Sequence, residues 1–157
     1  MEKPYMLISV YERETTTQQV VSLKEAQEQM LSELASYGSV EAPAFGMEEV
    51  GEFGIHEMNA WSNVRSDMQQ DWLIVHLRDG APYLLISICE HEITTHQMAT
   101  LKEAQEQMLS EVERFGGVEA PAIGMEEDDE FQIHEMDAWS NVKSDMKQDW
   151  LIVKLVN

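Results

Sequence analysis

The chain has few of the residues that would tie it to a disulfide framework, a membrane or a nucleic acid. It contains one cysteine, Cys89, in 157 residues, so it has no partner for an intramolecular disulfide and we expect a reducing, cytoplasmic location. Its apolar runs are strand-sized, far below the roughly 20 residues that span a bilayer. Its first residues also lack the pattern of a secretory signal.

Lysine and arginine are equally scarce, with 10 of them against 30 aspartates and glutamates, for a net charge of −20. Such a field repels nucleic acids, polyphosphates and anionic membranes, and it attracts basic protein surfaces. A merely acidic cytosolic or halophilic protein is the alternative explanation of the charge. Eleven methionines and many large aliphatic residues make the halophilic version less attractive.

The motifs of common catalytic and cofactor sites are missing as well. The sequence has no P-loop, no G-x-G-x-x-G and no G-x-S-x-G. The acidic run at residues 126–130 lacks the alternating spacing of a calcium-binding loop. We therefore predict a non-enzymatic protein without a cofactor or a bound metal.

What the sequence does contain is an internal repeat, because residues 4–77 recur as residues 82–155 without insertion or deletion. Of the 74 paired positions 22 differ, so 52 are identical. This period is too long for a solenoid unit and fits a small domain or half-domain. We interpret residues 1–78 and 79–157 as tandem repeats that form a covalent pseudo-dimer about an approximate two-fold axis.

The helix of each repeat is the element with the strongest signal. Capping boxes open it, Ser22 with Glu25 in the first repeat and Thr100 with Glu103 in the second. Apolar residues then recur at three- and four-residue spacing up to a glycine, where a left-handed C-terminal cap is expected. These residues are Leu23, Ala26, Met30, Leu34, Tyr37 and Gly38, with counterparts Leu101, Ala104, Met108, Val112, Phe115 and Gly116.

Three segments of each repeat are typical of strands, which predicts a β-α-β-β unit. They are residues 4–12, 52–61 and 71–77, with counterparts 82–90, 130–139 and 149–155. The polar segment before the helix is predicted to be a connection, and residues 38–51 a loop.

Asp79-Gly80 separates the last strand of the first repeat from the first strand of the second, which is a hairpin signal. We therefore predict an α+β, pseudo-two-fold, two-layer sandwich. It would have one continuous sheet of about six antiparallel-rich strands, with both helices on one face. Two separate lobes are the alternative.

Two His-Glu pairs, His56-Glu57 and His134-Glu135, are the most site-like residues that both repeats share. Adjacent residues on a strand point to opposite faces, so His and Glu of one pair would not hold one metal or share one proton. We predict a structural role for both pairs.

Cys89, His91 and His96 lie close in sequence only in the second repeat, and a zinc site would need further ligands. The four tryptophans suit base stacking, but so acidic a surface opposes binding of a phosphate backbone. We predict that they belong to the core or its edge: Trp61, Trp72, Trp139 and Trp150.

The sequence thus favours an acidic protein-binding module. Its partner would be a basic protein that binds nucleic acids, as for the DNA-mimic inhibitors of phages, of which anti-CRISPR proteins are one type. The protein would be a monomeric pseudo-dimer or a homodimer. The carboxylates predicted to bind the partner are Glu25, Glu28, Glu33, Glu103, Glu106, Glu111, Glu126, Glu127, Asp128, Asp129 and Glu130.

Two other classes of function stay open at this point. One is a small-ligand-binding protein or enzyme with a site between the repeats that uses His56, His134 and the tryptophans. The other is a structural or assembly module in which duplication replaced a homodimer.

Overall fold

The structure is a computed structural model that describes residues 1–11, 14–65, 69–89, 92–143 and 147–156. The chain divides into two compact units. Unit 1 comprises Met1–Arg78 together with Val156, and unit 2 comprises Asp79–Leu155. None of the helices found in these residues has the length and apolarity that a membrane crossing requires.

Each unit consists of one helix and one open sheet of six antiparallel strands, so the predicted α+β class with two similar halves is confirmed. Unit 1 contains β1 (Tyr5–Tyr11), β2 (Glu14–Val20), α1 (Leu23–Ser36), β3 (Glu48–Glu49), β4 (Phe53–Ile55), β5 (Asn59–Ser62) and β6 (Gln70–His76). Unit 2 contains β7 (Tyr83–Cys89), β8 (Glu92–Met98), α2 (Leu101–Arg114), β9 (Glu126–Glu127), β10 (Phe131–Ile133), β11 (Asp137–Ser140) and β12 (Gln148–Lys154). The strand orders are β2-β1-β6-β5-β4-β3 and β8-β7-β12-β11-β10-β9.

The prediction of one continuous sheet through Asp79-Gly80 is wrong. Strand β6 pairs with β1 and β5, while β7 pairs with β8 and β12. A strand has only two hydrogen-bonding edges, so β6 and β7 have none left for each other. Gly80 does adopt a turn conformation, with φ of 83°, but the turn leads from one sheet into the next.

Each unit has six strands where three were predicted, and the additional strands lie in segments that were predicted to be connections or loops or to belong to a longer strand. The polar connection before the helix is the edge strand β2, which pairs with β1 from Tyr5↔Val20 to Tyr11↔Glu14. An edge strand faces solvent, so its threonines and glutamines satisfy a sheet without an apolar pattern.

The predicted strand over residues 52–61 is a hairpin of β4 and β5. The turn between them closes where the backbone N–H of His56 donates to the carbonyl of Asn59 at 2.8 Å. The predicted loop over residues 38–51 contains the two-residue edge strand β3.

Both helices begin where the capping boxes predicted. Ser22 Oγ accepts a hydrogen bond from the Glu25 N–H at 3.1 Å, and Thr100 Oγ1 accepts one from the Glu103 N–H at 3.1 Å. These bonds satisfy backbone donors that would otherwise be unpaired in the first turn.

The predicted left-handed caps at Gly38 and Gly116 are wrong, because positive φ occurs one residue later, at Ser39 (57°) and Gly117 (72°). Glycine is needed at the two positions for space instead. A Cβ on Gly116 would lie 2.5 Å from the Val112 carbonyl oxygen and 3.0 Å from the Trp150 ring.

The helix of each unit packs its apolar stripe on one face of its own sheet. Trp72 and Trp150, both 1% exposed, lie in the middle of these contacts, as predicted, whereas Trp61 and Trp139 are half-buried. The unit 1 core is Leu7, Val20, Ala26, Met30, Leu34, Val40, Ile55, Ala60, Trp72 and Ile74. The unit 2 core is Leu85, Ala104, Met108, Val112, Val118, Ile133, Ala138, Trp150 and Ile152.

Candidate functional site

Two features of the molecule are candidates for function, and the first is a set of exposed carboxylates. Nine of the eleven carboxylates predicted to bind a partner are exposed. Among the described residues, none of the nine forms an ion pair within 4.0 Å. We use the name acidic surface for these nine residues of the two units, which are grouped by their charge and exposure alone: Glu25, Glu28, Glu103, Glu106, Glu126, Glu127, Asp128, Asp129 and Glu130.

Some members of the acidic surface also support local structure. The Glu25 carboxylate accepts a hydrogen bond from the Val21 N–H at 3.3 Å, and that of Glu103 accepts one from the Thr100 hydroxyl at 3.1 Å. Glu126 and Glu127 form β9, at the edge of the unit 2 sheet. Charged edge strands prevent sheets of different molecules from pairing, which gives these glutamates a structural role as well.

The other two carboxylates predicted to bind a partner, Glu33 and Glu111, do not lie on the exposed face of their helices. Glu33 is half-buried and Glu111 is 6% exposed. Both carboxylates point towards the sheet, where polar side chains of the core surround them.

Buried Glu111 forms the floor of a cavity of about 460 Å³ in unit 2, the second candidate feature. Its Oε1 accepts hydrogen bonds from the Ser87 hydroxyl and, at 3.1 Å, from the Trp150 indole N–H. Its Oε2 accepts one from the Gln107 amide at 2.8 Å. His96 Nε2 lies 3.8 Å from the same Oε2, too far for a hydrogen bond.

The walls of the cavity follow from strand alternation and helix spacing. Alternate residues of β7 and of β8 line the cavity: Ser87 and Cys89 from β7, and Glu92, Thr94 and His96 from β8. The end of α2 supplies Gln107, Ser110, Glu111 and Arg114, followed by Phe115. The Arg114 guanidinium lies 5.3 Å from the centre of the Phe115 ring, a cation–π distance.

Unit 1 repeats the hydrogen bonds of the floor. Glu33 Oε1 accepts from the Ser9 hydroxyl at 2.6 Å and from the Trp72 indole at 3.1 Å, and its Oε2 accepts from Gln29 at 2.9 Å. Four wall positions differ between the units: Tyr11, Gln18, Ser36 and Tyr37 stand where unit 2 has Cys89, His96, Arg114 and Phe115.

In unit 1 the Tyr11 ring lies near the half-buried carboxylate of Glu33. It stacks on Tyr37 with ring centres 4.9 Å apart and interplanar angle 14°, and its centre lies 6.5 Å from that of Trp72. Burial raises the pKa of Tyr11 above its usual value of 10.0; the neighbouring Thr16 side chain opposes this shift, while Glu33, Tyr37 and Glu14 add to it.

The two His-Glu pairs are not on strands. Strand alternation therefore does not place the His and the Glu of one pair on opposite faces, as the sequence predicted. They lie in the turns of the β4–β5 and β10–β11 hairpins and are exposed. His56 Nδ1 is 3.0 Å from Asn59 Oδ1, and His134 Nδ1 is 2.9 Å from Asp137 Oδ1, contacts that close the turns.

Metal binding finds no support in the described residues. Nowhere in the described part of the chain do three His, Cys, Asp or Glu side chains converge as metal ligands would. Cys89 and His96 both line the cavity, whereas His91, the third residue of the cluster considered from sequence, lies outside the described residues.

Comparison with known proteins adds no assignment to either feature. Protein-family models, curated proteins and solved structures gave no match to this chain.

Proposed function

We propose that the protein is a non-enzymatic, acidic binding module that engages the basic surface of a nucleic-acid-binding protein, as DNA-mimic inhibitors do. The observation that carries this proposal is the acidic surface itself. Its nine exposed carboxylates have no cation within 4.0 Å among the described residues, so their field is available to a partner.

The net charge of −20 produces an electrostatic field that attracts a basic partner before the two proteins are in contact. Long-range attraction raises the rate at which oppositely charged proteins associate, and salt weakens it, because exposed charges are screened over about 10 Å at 0.1 M. Nucleic acid would compete with the protein for the same basic partner surface.

The experiment is capture of partners from cytosol on the immobilised full chain, at low and moderate salt, with and without added DNA or RNA. We expect the captured protein to bind nucleic acids, and we expect both salt and nucleic acid to release it. An acidic partner, or capture that neither salt nor nucleic acid changes, would contradict the proposal.

Two charge-reversal variants distinguish binding through specific carboxylates from binding that depends on net charge alone. In one variant, lysine replaces Glu126, Glu127, Asp128 and Asp129. In a matched variant, lysine replaces four exposed glutamates outside the acidic surface: Glu2, Glu14, Glu41 and Glu113.

Both variants change the net charge equally, and surface substitutions usually change stability little. We expect the first to reduce capture and the second to retain most of it. Equal losses would show that only total charge matters, which is not the behaviour of a mimic.

A further inference from the structure

The cavity of unit 2 is a preformed polar pocket, and none of the residues of the acidic surface lines it. Its volume of about 460 Å³ is within the range of small-molecule sites, roughly 300–1,000 Å³. Its floor is fixed, because Ser87, Gln107 and Trp150 all donate hydrogen bonds to Glu111. A rigid polar floor beneath an open space is the arrangement that orients a ligand.

Unit 1 indicates what fits in that space, since it carries the same floor with a phenol ring above it. The Tyr11 ring stacks on Tyr37, lies beside Trp72 and Glu33, and has Thr16 as its diagonal neighbour across the β1–β2 pair. Every one of these neighbours has a counterpart in unit 2: Phe115, Trp150, Glu111 and Thr94. Of the ring and these four neighbours, only the ring has no counterpart, because Cys89 stands at the position of Tyr11; the walls also differ at His96 and at Arg114, whose guanidinium lies against Phe115.

We propose that unit 2 binds a small para-substituted phenol in this cavity. The ring stacks on Phe115 as Tyr11 stacks on Tyr37, and the hydroxyl bonds with Thr94. The ligand is the neutral phenol rather than the phenolate, because a phenol ionises only at about pH 10. Of the charged groups that line the cavity, Glu92 and Glu111 oppose ionisation of the phenol, whereas Arg114 favours it.

The same chemistry is available from a free phenolic molecule or from a tyrosine side chain in a peptide. The Tyr11 side chain corresponds to 4-methylphenol as a free molecule, which makes that compound the appropriate probe. N-acetyltyrosinamide, which carries the same ring on a peptide backbone, distinguishes the two sources. Tighter binding of the amide indicates a peptide ligand, and tighter binding of 4-methylphenol a free one.

The test is an NMR titration of the full chain with 4-methylphenol, read from the backbone amides, with unit 1 as the internal control. We expect one saturable site per chain, with shifts at Ser87, Thr94 and Phe115 and none at their counterparts Ser9, Thr16 and Tyr37. Toluene, which lacks the hydroxyl, should bind about fivefold more weakly, the value of one hydrogen bond.

Two exchanges between the units make the test stringent. Cys89→Tyr supplies unit 2 with its own ring and should abolish binding, whereas Tyr11→Cys should open a second site and give two phenols per chain. The amide spectrum shows whether each variant is folded. Cys89→Leu is a smaller change that fills part of the cavity and should weaken binding. It takes the place of Cys89→Tyr in the test if Cys89→Tyr does not fold.

Three results would overturn the proposal. They are the absence of saturable binding of both probes to the wild type, binding that neither Cys89→Tyr nor Cys89→Leu reduces, and a folded Tyr11→Cys variant that still binds only one phenol.

Discussion

At the scale of single residues, Glu111 is a charged side chain in a buried environment, only 6% exposed. A carboxylate accepts several hydrogen bonds, and this one takes three from buried or half-buried neutral donors. Those donors are left without partners when the carboxylate is removed, and an unsatisfied buried donor costs more than an ordinary hydrogen bond contributes.

We therefore expect Glu111→Ala to lower the free energy of unfolding by about 3 kcal/mol, measured by urea denaturation. Glu33→Ala removes the matched carboxylate of unit 1 and should cost less, because Glu33 is only half-buried and water can replace it. Glu106→Ala, at an exposed position of the same helix, should change stability by no more than about 0.5 kcal/mol. If Glu111→Ala costs no more than Glu106→Ala, the floor hydrogen bonds do not support the fold.

The raised pKa of Tyr11 predicts how the stability of the fold changes at alkaline pH. Its pKa is raised in the folded protein, chiefly by burial, so the folded state holds the phenol proton more tightly than the unfolded chain does. The resulting stability is fully present below the unfolded pKa of 10.0 and is lost as the pH rises through the folded pKa.

We expect the urea midpoint of the wild type to fall more steeply above pH 10 than that of Tyr11→Phe, which has no proton to lose there. Tyr5→Phe, on the same strand, keeps Tyr11 and should keep the steep decrease. Identical pH profiles for the wild type and Tyr11→Phe would contradict the raised pKa.

Glu33 shows how much of the site was available from sequence. It lies three residues after Met30 and four before Tyr37, both of which were assigned to the apolar stripe. Helical spacing alone therefore places it at the edge of the buried stripe. Because Glu33 is not itself apolar, the stripe pattern leaves it on the outward face. Its buried donors, Ser9 on β1 and Trp72 on β6, are distant in sequence and become its neighbours only in the fold.

At the scale of elements, strong local signals predicted helices and missed edge strands. Capping boxes and three-to-four spacing located α1 and α2, because these signals act within one turn or along one face. Strand β2 has no apolar alternation, because it lies at the sheet edge. What makes it a strand is its pairing with β1, and the local sequence pattern does not reveal such a pairing. Asp79-Gly80 carries a hairpin signal, but a sequence does not show that β6 and β7, the strands on either side, already have two partners each.

An insertion experiment tests the separate sheets. We expect a short Gly/Ser insertion between Asp79 and Gly80 to cost less than about 1 kcal/mol, since no strand pairing spans this turn and longer loops close at little extra cost. The same insertion between Glu57 and Met58 should cost more, because there it opens a turn that joins paired strands β4 and β5. Urea denaturation compares the two, and a larger loss at Asp79-Gly80 would favour a sheet that continues through it.

At the scale of the whole molecule, charge is the dominant property and is distributed unevenly. Residues 1–78 carry 5 basic and 13 acidic side chains, for −8, and residues 79–157 carry 5 and 17, for −12. Like charges destabilise a compact state by repulsion, and salt relieves this repulsion. The screening length falls from about 30 Å at 0.01 M ionic strength to about 8 Å at 0.15 M.

We expect added salt over this range to raise the free energy of unfolding, with a larger increase for amide protons of unit 2 than of unit 1, measured by hydrogen exchange. The variant with lysine at Glu126, Glu127, Asp128 and Asp129 should show a smaller increase. Salt that destabilises the wild type, or stabilises both proteins equally, would contradict the expected repulsion. Partner capture should respond to salt with the opposite sign. If capture falls while the protein itself becomes more stable, screening of the acidic surface is responsible for the loss, and unfolding is not.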